Sequence, residues 1–301
     1  MTGPAADRIT GSNFAYQHLS LERFLDDMAT LDREHLELWC VAPHLHIPAM
    51  GLADVRNIRR LLRERGLAVE CLTPEQVAYP VNLASGTGWL REQSIRMFHK
   101  AVDVCVELES PLLFLTAGRG LEDEPVQDAW DRAVESLGSI VDYAGANGVG
   151  CVLEPLQRTE SNLVNDVAGL QRMLEDIGSA NLGVALDTVA MAVAGETVND
   201  YGEAFGSLVR HVHLIDGAPA GHLAWGDGEL PLGQYLSELA EIGYSGFMTF
   251  ELFGDGRYAL EPLSALRRCM DAVASAEVPR HGSRRSKRQA VFGSSAPSSN
   301  S

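Results

Sequence analysis

Short apolar runs recur at roughly even spacing along this chain, each followed by a longer stretch with a different rhythm. In the first half they are Ile9 to Ser12, Leu36 to Trp39, Leu67 to Leu72 and Leu112 to Leu115. In the second they are Gly150 to Leu153, Leu182 to Leu186, His211 to Ile215 and Phe247 to Phe250. Such short runs, rich in Val, Ile, Leu and Phe, read as buried strands. The intervening stretches place apolar residues at helical spacing, as at Leu21, Phe24, Leu25 and Met28, or at Ala133, Leu137, Ile140 and Val141. Gly66, Gly148 and Gly243 stand just before the third, fifth and eighth runs, where a helix would stop. Eight strand–helix units in 301 residues predict an α/β fold, a closed parallel (β/α)8 TIM barrel rather than an open sheet.

Domain organisation follows from the same pattern. Residues 1–279 are expected to form one catalytic barrel. Residues 280–301 are Ser-rich and basic without periodicity, and are expected to be a disordered tail. The formal net charge is -17, and the tail alone holds five basic residues and no acidic one. That leaves 19 of the 24 basic groups against all 41 acidic groups in the rest of the chain. Such a surface repels polynucleotides, so nucleic acid is excluded as a partner. No run approaches the ~18 apolar residues of a membrane helix, and the first residues lack the blocks of a secretion signal. A cytoplasmic protein that does not enter membranes is expected. The five cysteines are scattered without C-x-x-C pairing, which predicts buried thiols rather than disulfides or a zinc knuckle.

A parallel barrel gathers the C-terminal ends of its strands on one rim, so polar residues there converge whatever their sequence separation. The fifth to eighth runs end in Glu154, Asp187, His213 with Asp216, and Glu251. An unpaired charge after an apolar run is costly. Three carboxylates and an imidazole facing one point form a hard oxygen/nitrogen set suited to manganese, with magnesium or cobalt as alternatives. Glu154, Asp187, His213 and Glu251 are therefore the expected metal ligands. His211 is expected in a core or hydrogen-bonded role.

The text around these residues resembles the xylose isomerase-like sugar isomerase/epimerase superfamily over residues 8 to 275. The intervals of 33 positions from Glu154 to Asp187 and 26 from Asp187 to His213 are similar to those of ketose 3-epimerases. The resemblance implies that Glu154 and Glu251 also move protons on opposite faces of the substrate, as the catalytic pair. The segments LEPLQRTESNLVN, TPEQVAYPVN and HVHLIDGAPAGHLAWGDG look most like a branch containing fructoselysine 3-epimerases and the α subunits of C-glycoside deglycosidases. Ketohexose epimerases carry a His three residues after the ligand Asp and an Arg soon after the ligand His. Here Thr188, Val189 and Ala190 follow Asp187, and no Arg occurs from Leu214 to Ala220. These departures point to a bulkier, glycosylated substrate.

The chemistry so implied is proton removal beside a sugar ketone, with the cation stabilising the enediolate as a Lewis acid. The first expectation is β-elimination from a 3-keto C-glycoside, which implies a small β subunit as partner. The alternative is C3 epimerisation of fructoselysine or another ketose. A small-molecule sugar or glycoside is the expected ligand, and an oligomer the expected assembly. Substrate contacts are expected from Glu160, from His222 and Trp225 in the loop after the seventh strand, and from Trp39, His46 and Arg119; His44 stands equally open to a structural role. Base-excision endonucleases share this barrel, but they need further His ligands and a basic groove. A non-enzymatic sugar-binding barrel would leave the carboxylate set unexplained.

Overall fold

The computed structural model describes residues 5–76 and 80–277; the expected tail lies outside the described residues. Eight strands alternate with helices. They are β1 (Ile9–Gly11), β2 (His35–Cys40), β3 (Ala68–Pro74), β4 (Leu112–Thr116), β5 (Gly150–Glu154), β6 (Leu182–Asp187), β7 (Val209–His213) and β8 (Met248–Phe250). All eight expected runs form strands, although β7 ends at His213, two residues before its apolar run does. Every neighbouring pair is parallel, in the order β1-β8-β7-β6-β5-β4-β3-β2. A single parallel bridge between Ser12 and Glu37 joins β1 to β2 and brings the barrel nearly to closure.

Helices α1 (Leu21–Thr30), α2 (Leu52–Arg63), α3 (Gly88–Leu108), α4 (Val126–Ala146) and α5 (Val167–Ile177) follow the first five strands. Helices α6 (Thr188–Ala194) and α7 (Val198–Phe205) both follow β6, α8 (Leu232–Glu241) follows β7, and α9 (Pro262–Glu277) completes the ring. The helical spacing seen in sequence is the face turned inward: Leu21, Phe24, Leu25 and Met28 of α1 are buried, as are Ala133, Leu137, Ile140 and Val141 of α4. Each large apolar side chain so buried contributes roughly 1.5–3 kcal/mol, and Phe24→Ala would cost roughly 3–5 kcal/mol through the cavity it leaves. Ser20 caps α1 by accepting from the Arg23 amide at 3.2 Å. Gly66, Gly148 and Gly243 adopt φ of +67°, +74° and +75°, the left-handed conformation that ends a helix without a Cβ penalty.

Strand register sets up the mouth of the barrel. Thr116 aligns with Glu154, Asp187 with His213, and His213 with Thr249, two residues before Glu251. All five cysteines are free and buried. No described helix is long and apolar enough to cross a membrane.

Candidate active site at the barrel mouth

Four strand ends meet around one imidazole nitrogen. His213 Nδ1 lies 3.1 Å from Glu154 Oε1, 3.5 Å from Glu251 Oε2 and 3.8 Å from Asp187 Oδ2. Each of the four side chains is nearly buried, Glu154 at 7 % exposure, Asp187 at 2 %, His213 at 1 % and Glu251 at 8 %. Asp187 also begins the next element: its Oδ1 accepts from the amides of Val189 and Ala190, both at 2.7 Å, and so caps α6. The cap fixes the carboxylate and leaves Oδ2 aimed at the centre.

The other face of His213 meets a residue that the sequence reading did not single out. Glu37, in the middle of β2 and fully buried, lies 3.1 and 3.2 Å from His213 Nε2 through its two oxygens. It also bonds His211 Nε2 at 2.7 Å and accepts from Thr73 Oγ1 at 2.6 Å. Accepting from Nε2 leaves Nδ1 to face the three carboxylates, the tautomer a ligand imidazole needs. Phe114 stacks on the His213 ring, centroids 4.8 Å apart at 15°, which fixes its plane. His211 sits inside the barrel on Glu37, in the hydrogen-bonded role its sequence suggests. The signal for Glu37 was present in sequence: a glutamate inside LELW, flanked by apolar residues, can be buried only with partners.

Electrostatics show what the centre lacks. Burial pushes the Glu154 carboxyl up to about 8, with Asp187 and Glu251 adding to it and His213 opposing. Burial likewise raises Asp187. Burial works against a charged His213, yet Glu37 and Glu251 outweigh it and hold the ring well above the usual histidine range. A proton on this ring thus balances the carboxylates, and a divalent cation at Nδ1 is the group able to take its place. Asp187 Oδ2 is buried without a hydrogen-bond partner. Glu154, Asp187 and His213, and separately Asp187, His222 and Glu251, each bring ligand atoms within 4.8 Å of one another. The donor set and the orphaned oxygen fit a hard divalent metal.

These groups open into a cavity of about 360 Å³. Trp39 and His222 stand in its wall, with Phe14 packed edge-on against Trp39 at 4.2 Å. His222 Nδ1 is 3.1 Å from Glu251 Oε2; burial opposes its charge, but Glu251 above all raises it to about 9. Glu160 also lines the cavity, and burial raises its carboxyl. Arg119 lines an adjoining cavity instead, bound to the Thr159 carbonyl at 2.7 Å and to Glu122 at 2.8 Å.

Three expected contributions take other roles. Trp225 is buried away from the cavity: its indole N–H donates to the Leu214 carbonyl at 3.0 Å, because a buried indole must find an acceptor. His46 is exposed and is not part of the cavity wall. Asp216 turns into its own loop and accepts from the amides of Gly217, Gly226, Gly228 and Leu230 at 2.8 to 3.0 Å. His44 is spent on Asn13 and the Leu19 carbonyl, both at 2.8 Å.

Known proteins with this arrangement handle sugars. Fructoselysine 3-epimerase of Shigella flexneri is 29% identical over 239 residues, covering 79% of this chain and 87% of that protein. D-psicose 3-epimerase of Agrobacterium fabrum is 25% identical over 240 residues, 76% of this chain and 78% of its own. Among solved structures, an L-ribulose 3-epimerase superposes with a TM-score of 0.74 at 24% identity, over 92% of this chain and 99% of that one. The D-psicose 3-epimerase of Clostridium cellulolyticum H10 with D-tagatose gives 0.75 at 18% identity, over 89% and 98%. These relatives side with epimerisation, the alternative in the sequence reading, over elimination. The profile of xylose isomerase-like TIM barrels matches residues 25–272, and the chain belongs to that family.

Proposed function

We propose that this protein is a divalent-metal-dependent sugar epimerase that removes a proton from the carbon beside a ketose carbonyl and returns one to the opposite face. The observation that carries the reading is the buried, unpartnered Oδ2 of Asp187 at the point where Glu154, His213 and Glu251 converge. Glu154, Asp187, His213 and Glu251 would hold the cation, manganese first by donor chemistry and magnesium or cobalt after it. When bound, the metal supplies Lewis-acid stabilisation of the charge that develops on the sugar oxygens.

The protein's own groups do the rest. Glu154 on β5 and Glu251 beyond β8 enter the cavity from separated strands, as two carboxylates serving two faces of one carbon must. One takes the proton and the other delivers one. A carboxyl raised to about 8 by burial is poised to exchange protons near neutral pH once charges around it change. His222 beside Glu251 steadies that carboxylate, while Glu160 is placed to bind sugar hydroxyls. Trp39 and Phe14 give the sugar ring an apolar wall that excludes water. The likeness to fructoselysine and D-psicose 3-epimerases supports carbon 3 of a ketose as the reacting centre.

The test incubates the manganese-loaded protein in D2O with fructoselysine, D-fructose and D-psicose, and follows C3 by NMR. Deuterium at C3 with appearance of the C3 epimer is expected. The same protein is given a 3-keto C-glucoside, with and without a small partner subunit. Release of aglycone with no C3 exchange in any ketose would replace epimerisation by elimination; no exchange and no release would end the proton-transfer reading.

A further inference from the structure

Beside the metal-centred cavity a second one, of about 420 Å³, lies among the loops that follow β3, β4 and β5. The two share Gln76, Thr116, Leu156 and Glu160, which form a neck between them. Taken singly, each volume lies near the lower end of the range for small-molecule sites, and joined they fall well inside it.

The outer cavity is built into the fold. Asn82, from the loop after β3, donates to the Arg119 carbonyl at 2.8 Å and accepts from the Arg119 amide at 3.1 Å. Asn162, from the loop after β5, accepts from the Gly120 amide at 2.8 Å and donates to the Gly120 carbonyl at 3.2 Å. Ser161 donates to the Gly118 carbonyl at 2.6 Å. Gly118 itself has φ of +76° and no room for a Cβ, which would fall 2.7 Å from Asn82 Oδ1 and 2.9 Å from the Ala84 nitrogen. Three loops are thus stitched together at their backbones, so the space they enclose is preformed.

The neck has unmet polar chemistry. Thr116 Oγ1 is buried and has no hydrogen-bond partner, although a valine of the same shape would fill the site without that cost. The other acids lining the outer cavity are neutralised: Glu122 by Arg119 and Arg158, Glu124 by Arg132. Glu160 keeps one backbone partner, the Gln157 amide 3.1 Å away, and pairs with no arginine among the described residues. A buried hydroxyl and a carboxylate at one constriction select for a ligand that passes through it carrying hydrogen-bond donors.

We propose that the outer cavity seats a second unit joined to the ketose, so that the preferred substrate is a substituted ketose whose linkage or second unit donates to Thr116 and Glu160 at the neck. This rests on the epimerase reading and adds the substrate class to it. The second unit can be an amine-bearing chain or a second sugar; both present donors.

The experiment compares kcat/KM of the manganese-loaded protein for D-fructose, for a fructose carrying an aminoalkylamino chain at C1, and for a disaccharide ending in a ketose. A preference of at least about tenfold for one substituted ketose over D-fructose is expected, as two added hydrogen bonds would give. Thr116→Val should cut that preference by about threefold to tenfold without lowering Tm, since the isostere removes an unpaired hydroxyl. Glu160→Gln should cut it more for the amine than for the sugar if the amine is the native unit, and equally for both if the shared hydroxyl-type donors matter. D-fructose turned over as well as both substituted ketoses, or an unchanged preference in Thr116→Val, overturns the inference while leaving epimerisation intact. Failure of all three ketoses overturns epimerisation and the inference with it.

Discussion

The second half of the barrel and the first contribute to the same mouth by different means. Strands β5 to β8 each deliver one residue at or just beyond the strand's last position, and those four residues surround a common point. The first four strands deliver no such residue. They supply Glu37 from mid-strand, Phe114 beneath the His213 ring, Thr116 at the neck, and walls such as Trp39. One half presents the chemistry and the other fixes its geometry. If this division holds, changes in the second half should stop turnover outright, whereas changes in the first should weaken it in proportion to how firmly they hold the second.

The largest effect belongs to the cation itself. Chelation should abolish epimerisation, with recovery on adding manganese and partial recovery with magnesium or cobalt. Saturating metal at about 100 times its Kd would stabilise the fold by about 2.7 kcal/mol, so Tm should rise by several degrees. Calorimetry with and without manganese reads that rise independently of activity; full turnover in chelator with no change in Tm would remove the metal from the account. Next in size, Glu154→Gln and Glu251→Gln should each lower kcat by roughly 10²–10⁴-fold, the span of a positioned acid or base. A loss confined to KM would show that the residue binds sugar without moving protons.

Glu37→Gln tests the first half. Outer partners of ligand imidazoles typically contribute 10–100-fold to metal affinity or activity, so this variant should fall between the wild type and the Glu154 variant. Excess manganese should restore part of the loss, because an amide can still accept from His213 Nε2. An effect as large as that of Glu154→Gln, not relieved by metal, would make Glu37 a direct participant and erase the distinction between the halves.

The same division governs how much could be read from the sequence. The fold was legible because eight apolar runs and their helical intervals carry two distinct periods, and glycines such as Gly66 and Gly148 marked the stops. Glu154, Asp187, His213 and Glu251 were legible because each closes an apolar run, and a parallel barrel brings run ends together. Glu37 was harder to see: it interrupts its run, and its partners His211 and His213 lie far along the chain, so only the closed barrel makes them neighbours. Asp216 shows the reverse difficulty. It too follows an apolar run, yet β7 ends three residues earlier, and by Asp216 the chain has already turned to wrap the carboxylate in four loop amides. A composition pattern locates the run but not the residue at which the strand's hydrogen bonding stops.

Trp225 gives the smallest and most discriminating test, because it belongs to the chemically rich half yet serves only its scaffold. The sequence GHLAWGDG suggests a loop aromatic folding over sugar, whereas the indole is buried and tied to the carbonyl of Leu214, next to His213. Trp225→Phe removes that one hydrogen bond while keeping most of the ring's apolar area. The net cost of such a bond is about 0.5–1.5 kcal/mol, which in a chain of this size lowers Tm by a few degrees. Turnover under saturating metal should stay within about twofold, since the residue touches His213 only through backbone. A fall in kcat/KM with Tm unchanged would place the ring against the substrate and return the loop after β7 to the set of residues that bind sugar.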